Sequence, residues 1–124
     1  MKRDYKDLVV WQKAMTLVVG VYRAAQTFPR EELLGPAAQM RRAAVSVPSN
    51  IAEGQARPTR GEFRQFLGYA KGSLAELETQ LLIARELGYL QSPDNLLAQL
   101  HEVARLLNGL AASLSTKWEP TTDN

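Results

Sequence analysis

The sequence predicts an all-α protein, an up-down-up-down antiparallel four-helix bundle with a proline kink in the second helix. Three observations support this fold. Apolar residues recur at alternating steps of three and four through four long segments, the spacing of helices that each bury one face. Short turns separate the segments, and short turns join antiparallel neighbours. No segment has the strict alternation of a half-buried strand.

The first predicted helix covers about residues 5–27. Asp4 is a candidate N-cap, because its carboxylate can accept from free backbone N–H groups. Residues 28–30 contain a proline and interrupt the pattern, so the helix is expected to end before them. The stripe expected in the core consists of Leu8, Trp11, Met15, Val18 and Tyr22.

The second predicted helix covers about residues 31–53, and Gly54 is assigned to the C′ position just beyond its end. Gly35 and Pro36 make the first turn a candidate for a separate short piece. The expected core stripe consists of Leu33, Ala37, Met40, Ala44, Val47 and Ile51.

Pro48 interrupts the backbone hydrogen bonds of this helix, at a cost of roughly 3 kcal/mol. The apolar pattern continues through it, which predicts a kinked helix and not two separate ones. Ser49, Asn50 and Glu53 belong to the same feature. The polar side chains of Asn50 and Glu53 are expected to satisfy backbone groups that the proline leaves free.

The third predicted helix begins with the capping box Thr59-x-x-Glu62 and ends at Gly88. Its expected core stripe consists of Phe63, Leu67, Ala70, Leu74, Leu77, Leu81 and Ala84. Gly68 and Gly72 lie four residues apart on another face. They indicate close packing against a neighbouring helix or an oligomer interface, or they are simply tolerated there.

Ser92 and Pro93 predict the start of the fourth helix, as N-cap and first helical residue. Its expected core stripe consists of Leu97, Leu100, Ala104, Leu107, Ala111 and Leu114. One domain is therefore predicted over residues 1–116, followed by a flexible C-terminal tail at 117–124.

Additional apolar residues widen the apolar arc beyond these stripes: Val9, Val10, Val19, Val45, Phe66, Tyr69, Leu82, Ile83, Leu96, Val103, Leu106 and Leu110. A bundle helix needs some of this width, because it has two neighbours. The excess predicts an exposed apolar patch and hence self-association.

The residues offer little support for catalysis. The chain has no cysteine and one histidine, His101, which lacks the second histidine of a His-Glu-x-x-His zinc site because position 105 is Arg105. No phosphate-binding glycine loop occurs. We therefore expect no enzyme, no metal and no cofactor.

The N-terminal residues are charged and lack the apolar run of a signal peptide, and no segment reaches the roughly 20 apolar residues of a membrane span. A cytoplasmic protein without membrane contact is expected.

The net charge of +2 conceals an asymmetry, because twelve Lys and Arg face six Asp and Glu up to Lys71, whereas three face seven afterwards. An excess of positive charge favours an acidic partner. The candidate nucleic-acid-binding residues are Arg41, Arg42, Arg57, Arg60, Arg64 and Lys71. The alternative is solvated helix surface with some charge pairing, such as Arg41 with Glu53 or with an acidic residue of another helix.

The chain resembles the four-helix-bundle proteins encoded by intervening sequences in bacterial 23S ribosomal RNA genes. The matching pieces are residues 8–15 (LVVWQKAM), 41–54 (RRAAVSVPSNIAEG), 62–81 (EFRQFLGYAKGSLAELETQL) and 88–90 (GYL). The resemblance covers about residues 5–114. It implies a four-helix protomer that assembles as a ring, typically a homopentamer. A related branch, the accessory proteins of diversity-generating retroelements, forms basic barrels that bind a reverse transcriptase and nucleic acid.

Two functions remain open. One is a non-enzymatic, ring-forming accessory protein that binds nucleic acid, RNA in the first place. The other is an oligomeric scaffold that binds a protein partner and has no role with RNA or DNA.

Overall fold

The computed structural model describes residues 4–115 and contains four α-helices. The helices are α1 (Val9–Ala25), α2 (Pro36–Gln55), α3 (Arg60–Glu86) and α4 (Asp94–Ser115). Single 3₁₀ turns precede α1 at Tyr5–Asp7 and α2 at Arg30–Glu32. The described residues form no strand, so the predicted all-α class is confirmed. The predicted tail at 117–124 lies outside the described residues.

Each helix packs against two others: α1 and α3 both contact α2 and α4. Ser46 of α2 touches Ser73 of α3, and Lys13 of α1 pairs with Glu102 of α4 at 3.5 Å. At Gly20 an added Cβ would lie 2.7 Å from Leu96 Cδ2, so α1 and α4 approach closely there.

The core confirms the stripes predicted for α2 and α3, whose members are buried except for the half-buried Leu33 and Phe63. In α4 the fully buried residues are Leu96, Leu100, Val103 and Leu107, so the predicted stripe is correct only in part.

The stripe predicted for α1 is correct only in part, because Leu8, Trp11 and Val18 are half-buried against the core whereas Met15 and Tyr22 are exposed. The buried residues are Val10, Ala14, Leu17, Val21 and Ala25. The first four each precede a member of the predicted stripe by one position, and Ala25 lies beyond the last member of that stripe. One residue corresponds to about 100° around a helix. Met15 is consequently 39% exposed and Tyr22 is 42% exposed.

Local signals at the helix ends are confirmed in part. Asp4 caps the 3₁₀ turn and not α1: its side chain accepts from Lys6 N at 2.8 Å, whereas the N-cap of α1 is Leu8, which makes no side-chain cap bond. Thr59 Oγ1 accepts from Glu62 N at 3.1 Å at the start of α3, as predicted. Gly88 closes the end of α3 with φ +78, a conformation that glycine adopts freely. Gly54 is different, because it lies inside α2 and not at the predicted C′ position.

None of the helices within residues 4–115 combines the length and apolarity needed to cross a bilayer.

Candidate nucleic-acid interface and apolar groove

Three predicted binding residues, Arg60, Arg64 and Lys71, lie on one exposed face of α3. Their spacing of four and seven places them within about 40° of one another around the helix. Over eleven residues they extend about 16 Å along its axis. None forms an ion pair with a carboxylate among residues 4–115. We refer to these three residues as the α3 basic stripe.

Arg57 lies near the start of α3 but points to another side. Its guanidinium lies 4.9 Å from the centre of the Phe66 ring, and its Nη2 is 3.5 Å from Glu53 Oε2. Phe66 is six residues after Arg60, at least about 120° away from the α3 basic stripe around the helix. Arg57 is therefore partly neutralised and does not extend the stripe.

Arg41 and Arg42 occupy two further places on α2. The Arg41 guanidinium lies 5.5 Å from the Tyr22 ring centre, while its Nε is buried and has no hydrogen-bond partner among the described residues. The ion pair between Arg41 and Glu53 considered from the sequence is wrong, since Glu53 pairs with Arg57. Arg42 is exposed and borders a surface depression with Glu76.

Around Pro48 the helix α2 continues without interruption, and the Pro48 ring is buried. Asn50 Nδ2 donates to the Ser46 carbonyl at 2.8 Å. The carbonyl that lacks an N–H donor because of Pro48 is that of Ala44, four residues earlier, so this bond does not satisfy it as predicted. Glu53 bonds to Arg57 instead, which assigns it a different role from the one expected. Ser49 is exposed and reaches the groove described next.

An apolar groove runs along the outer side of α1 and α2. Its walls are Tyr5, Trp11, Met15, Val18, Val45, Pro48, Ser49 and Ala52, a set that we call the α1–α2 groove. Tyr5 packs edge-on against Trp11 with ring centres 5.4 Å apart, and Val45 is 39% exposed. Sequence reasoning missed the groove because it assigned Trp11, Met15 and Val18 to the core. The sequence feature that could have indicated the groove was the set of additional apolar residues outside the predicted core stripes.

Gly68 and Gly72 face open space, and an added Cβ at either residue would meet no described atom within 4 Å. The expectation of close packing against another helix of the same chain is therefore wrong. The oligomer-interface alternative stays a prediction.

His101 is exposed, and its Nε2 lies 2.9 Å from Glu78 Oε2 across the α3–α4 contact. Within residues 4–115 no group of three or more His, Cys, Asp and Glu side chains is placed to hold a metal ion.

The fold and these surfaces define a class of protein: a bundle of four helices with an unpaired basic stripe on one helix and an open apolar groove on two others. The family model described as 23S rRNA-intervening sequence protein matches residues 6–109. Because this match covers most of the chain, the chain belongs to that family. The family predicted from the residues is confirmed. A search of curated proteins finds no match.

Proposed function

We propose that the protein is a non-enzymatic accessory protein that binds nucleic acid, RNA in the first place, through the α3 basic stripe. The observation that carries this proposal is that Arg60, Arg64 and Lys71 share one exposed face without a described carboxylate partner. Arginine pairs with phosphate through its planar fork. The sequence carries no base-reading motif, so the preference is for shape or for single strands.

Ring assembly is part of the proposal. A homo-oligomer, a pentamer by resemblance to the family, repeats the stripe once per protomer. Repetition converts a modest patch into a multivalent surface, because each later contact becomes intramolecular. The cysteine-free composition supports a cytoplasmic location.

The test is a fluorescence anisotropy titration with structured RNA, single-stranded RNA and duplex DNA at several salt concentrations. Each phosphate contact contributes about 0.7 to 0.9 to the slope of log affinity against log salt. We expect neutralisation of Arg60, Arg64 and Lys71 to glutamine to weaken binding at low salt and to reduce that slope by about 2 to 3 for each protomer that contacts the ligand.

A matched control removes the same charge elsewhere: Arg23, Arg30 and Arg85 are exposed and are changed to glutamine together. Unchanged binding by the stripe variant would exclude this surface. An equal loss in both triple variants would show that net charge, and not the stripe, drives binding.

A second candidate function, an oligomeric protein-interaction scaffold without a nucleic-acid role, is favoured by the α1–α2 groove. Exposed, contiguous apolar side chains rimmed by polar ones are typical of protein contacts. Trp11, Met15 and Val18, which the sequence assigned to the core, line this groove, and burial by a second protomer would remove them from water.

Light scattering tests the groove. Met15→Glu and Val45→Glu each place a charge in it and are expected to lower the mass to that of the protomer. Val9→Glu serves as the control, because Val9 is 55% exposed but does not line the groove. A full-size assembly in both groove variants would contradict this assignment.

We also propose the up-down-up-down course and the kink at Pro48. Contacts between α2 and α3 support the antiparallel course, since Gly54 faces Phe66 whereas Ser46 touches Ser73. Between α1 and α4, Gly20 faces Leu96 whereas the earlier Lys13 pairs with the later Glu102. The absent N–H of Pro48 supports the kink.

A further inference from the structure

One side-chain pair sets the register of α3 against α4. His101 Nε2 lies 2.9 Å from Glu78 Oε2, so both side chains lie at the seam between the two helices. Glu78 is eight residues before Glu86, the last residue of α3, and His101 is seven residues after Asp94, the first residue of α4. Nearly equal distances from a short turn are typical of antiparallel neighbours. The pair therefore indicates which residues of α3 and α4 lie at the same level.

The α3 basic stripe lies on the same side of α3 as Glu78. Its members Lys71, Arg64 and Arg60 precede Glu78 by 7, 14 and 18 residues, which correspond to about two, four and five helical turns. Because the Glu78 side chain reaches His101 of α4, the stripe borders the seam with α4 and not the contact with α2.

The same steps along α4 lead to Arg105 and Asn108. They follow His101 by four and seven residues, so they lie within about 40° of it around the helix. Both residues are exposed. In the proposed antiparallel course, a step of seven residues from each member of the pair places Asn108 opposite Lys71. Arg105 lies about 5 Å from that level, on a helix whose axis is about 8–10 Å away.

Arg105 brings a further uncompensated positive charge to the seam. It forms no ion pair with any residue that the structure describes. The carboxylate nearest to it in sequence, Glu102, lies 3.5 Å from Lys13 of α1. Lys71 and Arg105 are therefore two unpaired cations on opposite sides of one seam, and such an arrangement favours an anionic backbone between them.

We infer that the nucleic-acid surface continues from the α3 basic stripe onto α4, where Arg105 binds a phosphate of the same RNA and Asn108 donates a hydrogen bond to its backbone. This inference rests on the proposed function and extends its site. An RNA backbone that follows the seam meets Lys71 on one side and Arg105 on the other.

The experiment repeats the anisotropy titration with the two RNA probes on variants of α4. For each protomer in contact, we expect Arg105→Gln to weaken RNA binding about two- to fivefold, the value of an exposed ion pair. It should also lower the slope of log affinity against log salt by about 0.7 to 0.9. Asn108→Ala removes a donor but no charge, so it should weaken binding up to about fivefold and leave the slope unchanged.

Arg23→Gln is the matched control. Arg23 is exposed, forms no ion pair with a described residue and lies beside Asn95, ten residues before Arg105 on α4. Circular dichroism and light scattering check that each variant is folded and assembled. If Arg105→Gln binds RNA as Arg23→Gln does while the triple stripe variant loses affinity, the inference is overturned and the proposed function stands. Absence of RNA binding by the wild type, or wild-type binding by the stripe variant, overturns both.

Discussion

Gly54 is required where α2 meets α3, because there is no room for a side chain. A Cβ at this position would lie 2.6 Å from Phe66 Cβ and 3.1 Å from Phe63 Cδ1. The sequence suggested a helix-end glycine instead. A glycine near a helix terminus fits both explanations, and only the position of the neighbouring helix distinguishes them.

Gly54→Ala is therefore expected to destabilise the protein by about 1–3 kcal/mol, the usual cost of overpacking. The matched control is Gly109→Ala in α4, where an added Cβ meets nothing within 4 Å. There alanine should stabilise by up to about 1 kcal/mol. Urea unfolding at equal protomer concentration measures both. A neutral or stabilising Gly54→Ala would contradict the close approach of α2 and α3.

Tyr89 links stability to alkaline pH. Burial, followed by the carboxylates of Glu32 and Glu31, raises the pKa of Tyr89 above its ordinary value of 10.0. The unfolded chain therefore loses this proton first, and the contribution of the protonated phenol is complete below pH 10 and declines above it. We expect the difference in unfolding free energy between wild type and Tyr89→Phe to narrow as the pH rises through this range.

Tyr69→Phe provides the comparison for Tyr89, because Tyr69 is exposed on α3. A parallel change in both variants would assign the alkaline effect to other groups.

At the scale of the helices, the sequence predicted which segments are helical better than which face is buried. In α2 and α3 a single apolar stripe dominates, so the prediction is confirmed. In α1 two adjacent stripes are apolar. The prediction chose the stripe with the larger side chains, whereas the stripe that faces the core contains Ala14 and Ala25, both fully buried. Close packing of helices favours small residues, and periodicity alone carries no information about interhelical distance.

The polar residues around Pro48 give a prediction for α2. Asn50 donates to the Ser46 carbonyl across the turn that contains Pro48, and if this bond stabilises that turn, the two residues are energetically coupled. We expect a double-mutant cycle of Pro48→Ala and Asn50→Ala to give an interaction energy of at least about 0.5 kcal/mol. Asn50→Ala alone should cost about 1 kcal/mol, because it removes the hydrogen bond to the Ser46 carbonyl.

Ser49→Ala replaces Asn50→Ala in the control cycle, because Ser49 is adjacent but exposed. That cycle should be additive within about 0.3–0.5 kcal/mol. Additivity in the Asn50 cycle as well would remove the link between Asn50 and the proline.

At the scale of the whole molecule, the candidate surface was only partly predictable. Spacing alone places Arg60, Arg64 and Lys71 on one face, and the structure agrees. The spacing did not show that Arg57 lies apart from this face, because the direction of its side chain depends on the Phe66 ring and on Glu53. The spacing also did not reveal the α1–α2 groove, because the groove depends on the rotation of α1 about its axis. Surfaces within one helix follow from periodicity, whereas surfaces between helices depend on packing.

The last prediction joins the two surfaces, because under the proposed ring assembly one stripe alone is expected to bind RNA more weakly than the repeated stripe. Met15→Glu leaves the α3 basic stripe intact but is expected to yield protomers. Loss of multivalency should then weaken RNA binding at least about 100-fold, although every stripe residue is present. Anisotropy and light scattering on the same samples measure both quantities, with Val9→Glu as the charge-matched control. Wild-type affinity in a protomeric Met15→Glu variant would show that one stripe suffices and that the groove serves another partner.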